Sequence, residues 1–219
     1  MFYNGPTQKD YVNIHALNGE FLRLTKLYPQ RFGLDTLQAG RLAALGRQQL
    51  ERLASTPFLL FAIQENDEVA WRAICRARPN SDLFESNRAN DTDIGDLIAT
   101  TTGFLWQLAQ QNPYSVRLIC GASPAWCEII TVMTYFELIT LTRQRDDLLS
   151  LRQTPNSDIW SKLLVDGVRA EPHVRSAAHI AALQTMLTGC PAANAATWPV
   201  AACKTTYPGL HVADEPGKE

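Results

Sequence analysis

The chain has no stretch of about 18 consecutive apolar residues, the minimum for a helix that crosses a bilayer. Its first ten residues, MFYNGPTQKD, lack the basic start and apolar run of a secretory leader. Both absences point to a cytoplasmic protein without membrane contact. Charge of one sign is also missing: the net is −2, which gives no global attraction to nucleic acid or to a lipid surface. The five cysteines, Cys75, Cys120, Cys127, Cys190 and Cys203, are an odd set, which suits reduced thiols. Cys120 and Cys127 straddle Gly121-Ala122-Ser123-Pro124, a spacing unlike that of zinc ligands, and read as small buried apolar side chains.

Chemistry-bearing patterns are equally scarce. The four histidines are His15, His173, His179 and His211, and none lies in an H-E-x-x-H or a cysteine-paired metal motif. His173 and His179, six apart on one expected helix, project to nearly opposite sides. Ser123 lies in GASPA, not in a strand-flanked G-x-S-x-G elbow. Gly103 and Gly121 form no phosphate-cradling loop, and adjacent Asp146 and Asp147 diverge by about 100° on a helix. The sequence therefore predicts no enzyme, no cofactor and no metal.

What is present is apolar periodicity. At 46% hydrophobic and 19% charged, the chain can bury a sizeable core. Tyr11, Ile14, Leu17, Phe21, Leu24 and Leu27 recur at three- and four-residue steps and predict a helix over 10–27, capped by Thr7 or Asp10 and ended by Tyr28-Pro29. Gly19 in its middle implies a close neighbour. Asp35 with Gln38 reads as a capping box for a second helix, and Gly46 fits the left-handed position after its end. A third helix runs from Arg47 to Ser55, with Leu50 and Leu53 inward, and Pro57 stops it. The run Phe58, Leu59, Leu60, Phe61, Ala62, Ile63 has no polar face, which suits a short strand buried on both sides or one paired in a dimer.

Beyond it, Val69 to Cys75 is a strand or a helical turn, and Ala77 to Asn90 is a polar loop that marks an internal boundary. The second half reads as helical: 91–111, a restart at Asn112-Pro113, one long central helix from Ser123-Pro124 to about Arg145, and shorter helices at 157–164 and 171–187. In the long helix Ile129, Ile130, Met133, Phe136, Leu138 and Leu141 predict a buried position. Trp106 and Trp126 read as core, and Trp160, in SDIWSKLL, as the exposed aromatic that anchors a partner. No internal repeat is visible. The expected fold is mainly α, a multi-helix bundle with a short buried or dimer-paired β strand near residues 58–63. Its expected regions are 1–76, 91–189 and a flexible tail, 190–219.

Local charge adds one feature. Residues 1–60 hold seven basic and four acidic side chains, and residues 61–100 hold four and eight. Arg41, Arg47 and Arg52 carry the surplus on the second and third helices, either as a solvated face or as phosphate contacts.

Residues 10–66 resemble the FlhD family, subunits of the flagellar master transcriptional activator. The resemblance rests on Asp10-Tyr11, Asn13-Ile14, the leucines of FLRLTKL, Arg31-Phe32-Gly33-Leu34, Ala43-Ala44-Leu45, Gln49-Leu50, Leu53-Ala54, Thr56 and Leu59-Leu60. It covers about a quarter of the chain. It implies a transcriptional regulator that acts as a homodimer or with a zinc-containing FlhC-like second subunit and contacts promoter DNA or RNA polymerase. On that reading Arg41, Arg47 and Arg52 would hold DNA phosphates in position. Phe58, Leu59, Leu60, Phe61 and Ile63 would seal the dimer. Two departures stand out. The cysteine that cross-links family dimers falls at Phe61, and the chain is longer than FlhD. Residues 137–164 are faintly similar to the partner subunit, chiefly through Glu137-Leu138-Ile139-Thr140-Leu141, but its four zinc cysteines are absent. The alternative is a protein–protein module without DNA contact: an adaptor, an anti-activator or a chaperone.

Overall fold

The computed structural model describes residues 5–76, 92–152 and 159–189. Helices α1 (Gln8–Leu27), α2 (Thr36–Ala44) and α3 (Arg47–Ala54) lead into strand β1 (Phe61–Ala62) and helix α4 (Glu68–Arg76). Helices α5 (Thr92–Gln111), α6 (Pro113–Cys120), α7 (Pro124–Thr131) and α8 (Tyr135–Thr142) precede strand β2 (Ser150–Leu151). Helices α9 (Ile159–Val165) and α10 (Pro172–Gly189) complete the described residues. The protein is mainly helical, and the one sheet among the described residues is the antiparallel pair β1–β2, with Phe61 opposite Leu151 and Ala62 opposite Ser150. Among the described residues, no single helix is long and apolar enough to cross a membrane.

Local sequence explains most helix starts. Thr7 accepts from the amide of Asp10 while the Asp10 carboxylate accepts from the amide of Thr7, so two of the free N–H groups at the start of α1 are satisfied. Asp35 and Gln38 exchange the same pair of bonds at α2. Asn112 and Ser123 each cap a helix with proline in its first turn. Gly46 departs from the expectation: its φ is −74°, so it is the N-cap of α3 rather than a left-handed stop. Gln49 turns back there and accepts from the Gly46 amide at 3.0 Å. Gly19 also departs, because nothing lies within 4 Å of the space its side chain would fill.

One contiguous core joins the first and second halves. Helix α1 packs on α3 and, across the middle, on α5; α4 packs on α7, and α5 on α8. Phe21 of α1 sits at the centre, 4.8 Å from the Phe61 ring and 5.3 Å from that of Phe32. The stretch Val69 to Cys75 belongs to a helix. Trp71 anchors it, donating from Nε1 to the carbonyls of Ile63 and Gln64 and meeting Trp126 edge to face at 5.3 Å. The expected boundary loop 77–90 and the expected tail 190–219 lie outside the described residues.

Candidate functional site

A buried extended run creates a specific problem. Its amides and carbonyls leave water, and a strand as short as β1 pairs few of them. Two polar side chains solve it. From α1, Asn18 donates to the carbonyls of Ala54 (3.2 Å) and Phe58 (2.9 Å) and to Thr56 Oγ1 (3.0 Å), and its Oδ1 accepts from the Leu60 amide at 2.9 Å. On the other side, Arg152 donates from Nε to Leu59 O (2.6 Å), from one terminal nitrogen to Phe61 O, and from the other to Cys120 O (2.8 Å). That last nitrogen also meets Glu65 Oε1 at 2.8 Å, and Glu65 Oε2 accepts from the Ile63 amide at 2.8 Å. Both members of this ion pair are buried, so each charge depends on the other for solvation.

This arrangement corrects the dimer-interface expectation. Phe58, Leu59, Leu60, Phe61 and Ile63 are each 1% exposed or less within the single chain. Their covering is intramolecular: α1 on one side, Arg152 and β2 on the other. A second copy could reach them only by opening the core. Trp160 is corrected for the same reason. It is 2% exposed, donates from Nε1 to Arg152 O at 3.0 Å, and faces Phe21. It braces the Arg152 backbone instead of presenting an aromatic anchor.

The three arginines do not form one set. Arg41 is exposed and has no ion pair among the described residues. Arg47 is also exposed and bonds Glu51 one turn on at 3.0 Å. Arg52 is half-buried and donates to Val168 O at 3.3 Å, tying α3 to the segment that follows α9. A phosphate contact thus has two solvent-facing candidates, Arg41 and Arg47, and Arg52 is a structural tether.

Apolar periodicity predicts one helix through 124–145, but the chain turns in its middle. Helix α7 ends near Val132, and Thr134 restarts the chain as α8, their axes bent by 106°. The restart is a capping box: Thr134 Oγ1 accepts from the Glu137 amide, and Glu137 Oε2 accepts from the Thr134 amide at 3.0 Å and from its hydroxyl at 2.8 Å. Hydrogen bonds from Thr134 hold the Glu137 carboxyl below its usual range. The turn brings three large apolar side chains into solvent: Val132 (87% exposed), Tyr135 (52%) and Phe136 (60%). The expected core position of Phe136 is therefore wrong.

This corner is held from beneath. Trp106 of α5 donates from Nε1 to Met133 O at 3.0 Å and meets Tyr135 edge to face at 5.6 Å. Gly103 lets Tyr135 and Ile139 approach α5, since an added Cβ would lie 2.9 Å from the tyrosine ring. Arg143 closes the far end of α8 on Asp96 at 2.6 Å. An exposed aromatic pair on a held turn, with Tyr135 braced against Trp106, can bury area on a partner at reduced entropic cost. Sequence reading missed it, although the Thr134-x-x-Glu137 spacing was legible.

Cys120, Cys127 and His179 are buried in the core. Burial pushes the Cys120 thiol well up and the Cys127 thiol up to about 12, so neither supplies thiolate near neutral pH. His179 is buried, with Nε2 3.1 Å from Gly167 O, and its pKa is lowered chiefly by desolvation, which favours the neutral ring. His15 and His173 are exposed. Among the described residues, no three His, Cys, Asp or Glu side chains are grouped to hold a metal ion.

Comparison with protein-family models, with curated proteins and with solved structures finds no match to this chain.

Proposed function

We propose that the chain is a helical regulatory subunit of FlhD-like type that works in the cytoplasm through contact with a second protein. The observation that carries this reading is the pinned apolar corner of Val132, Tyr135 and Phe136. Surfaces of this kind, with large apolar side chains clustered on a rigid turn, are suited to protein interfaces. The resemblance over residues 10–66 names the occupant: an FlhC-like subunit. Regulation of transcription would follow from that assembly.

Direct contact with promoter DNA is a second reading, carried by the exposed Arg41 and Arg47. These two could position a duplex by its phosphates but read no sequence.

One experiment addresses both. The chain is co-expressed with a four-cysteine FlhC-like subunit, and the complex is isolated and titrated. Tyr135→Ser with Phe136→Ser is expected to weaken association at least about 30-fold, because each aromatic contact of this kind is worth on the order of 1–2 kcal/mol. Unchanged affinity would remove the corner from the interface. In a DNA shift series with the same complex, Arg41→Ala with Arg47→Ala should lower the salt slope by about two if both touch phosphates. An unchanged slope removes the DNA reading.

A further inference from the structure

The order of elements from α1 to β1 occurs again from α5 to β2. In each case a 20-residue helix is followed by a proline-initiated helical segment, a left-handed glycine, a capped short helix, an eight-residue helix and a two-residue strand, the second half adding a 3-10 turn at Asp146–Leu148 before its strand. The correspondence extends to individual positions. Ile14, Leu17, Asn18, Phe21 and Leu24 are buried on α1; the residues 84 positions on, Ile98, Thr101, Thr102, Leu105 and Leu108, are buried on α5. The turn that follows is Pro29–Phe32 in the first case and the longer Pro113–Cys120 in the second, so the shift becomes 88. It then holds without a gap. Gly33 (φ 67°) matches Gly121 (φ 77°), and cap Asp35 matches cap Ser123. Cap Gly46 matches cap Thr134, and the side chains three residues on, Gln49 and Glu137, each accept from the cap amide at 3.0 Å. Buried Leu42 and Ala54 match buried Ile130 and Thr142.

The sheet supplies an independent observation. Ala62 pairs with Ser150, its own counterpart at the 88-residue shift, and Phe61 pairs with Leu151, the counterpart of Ile63. A strand that pairs with its equivalent in this register defines a local two-fold axis through the Ala62–Ser150 pair, as in an isologous interface. Side-chain bonds obey the same axis. Gln64 Nε2 donates to Asp147 O at 2.8 Å, and its counterpart Arg152 donates from Nε to Leu59 O, the counterpart of Asp147, at 2.6 Å.

We propose that residues 8–64 and 92–152 are two copies of one helical unit, and that they close within a single chain the two-fold interface that two chains of a homodimer would share. This inference does not depend on the functional reading above. Its consequence bears on that reading, because two fused copies are free to diverge. Arg47 and Gln48 of the first copy occupy the positions of Tyr135 and Phe136 in the second. One copy therefore presents a polar, basic face where the other presents the apolar corner, and a partner that reads the aromatic pair meets it once per chain.

The full chain tests this with cysteines at the axis. Ala62→Cys with Ser150→Cys, under mild oxidation, is expected to give an intramolecular 62–150 link, identified by peptide mapping against the native cysteines. Ala62→Cys alone should give no chain-to-chain link at that position. A covalent dimer through position 62, or no 62–150 link in a variant with unchanged helical circular dichroism, would overturn the proposal. Should the double variant not fold, amide exchange on the unmodified chain is decisive. Equal protection at 61–62 and 150–151, independent of protein concentration, supports the closed two-fold. Protection that rises with concentration contradicts it.

Discussion

Arg152→Met is expected to destabilise the chain by about 3–5 kcal/mol, the range for removing one partner of a buried ion pair. Among the described residues the guanidinium is the only cation bonded to buried Glu65, and it also satisfies the carbonyls of Leu59, Phe61 and Cys120. Methionine approximates the volume of the side chain and none of its donors. The folded state would then hold a carboxylate in the core with, among the described residues, only the Ile63 amide on it. The double variant Arg152→Met, Glu65→Leu removes both charges, so it should lose less than the sum of the two single losses, by more than about 1 kcal/mol. Urea denaturation of the four proteins gives the cycle. A single-variant loss under about 1 kcal/mol, or strict additivity, would show that the pair does not anchor the Phe58–Ile63 run.

Asn18→Leu is expected to cost on the order of 3 kcal/mol. Leucine keeps the branched shape of asparagine but leaves the Leu60 amide without its acceptor and takes the Asn18 donor from the carbonyls of Ala54 and Phe58, of which Phe58 keeps its bond from Thr56 Oγ1 at 3.1 Å. Each stranded buried group costs about 1–3 kcal/mol, partly offset by the apolar area gained. Gly19→Ala is the control. It lies one residue on, faces open space, and should stabilise the helix by up to about 1 kcal/mol. If Asn18→Leu were as stable as the parent chain, the run would be held by apolar packing alone.

These two residues also mark where sequence reading stops. Asn18 falls on the apolar stripe between Leu17 and Phe21, and that placement was the available signal. Its partners, however, lie 36 to 42 residues away. Arg152 is further removed, 87 residues from Glu65 and 93 from Leu59. No local spacing encodes such a contact. What was legible was local chemistry: the Asp35–Gln38 box, the Asn112-Pro113 and Ser123-Pro124 starts, and the wholly apolar character of Phe58–Ile63. The run reads as a strand either buried or paired in a dimer, and it is buried within the chain; β2 has only two residues and no period to reveal it as the cover. At 132–134 continuous apolar periodicity overrode the Thr134–Glu137 box, and the exposed corner went unread. The candidate arginines were visible as charges, whereas the Arg52 bond to Val168 depends on how α9 ends. The proposed two-fold has no sequence signature, because the residues at corresponding positions differ: buried Trp126 and Ile129 stand where Gln38 is half-buried and Arg41 exposed, and the match rests on element order, cap positions and strand register.

The apolar run is sealed inside one chain. Urea unfolding of the unmodified protein over a hundredfold range of concentration tests it most directly, with light scattering at each end of the range. Folding sealed within the chain requires a midpoint independent of concentration, and the same mass at both ends. A midpoint that rises with concentration, together with twice the chain mass of 24.4 kDa in the folded state, would mean that a second copy completes the fold.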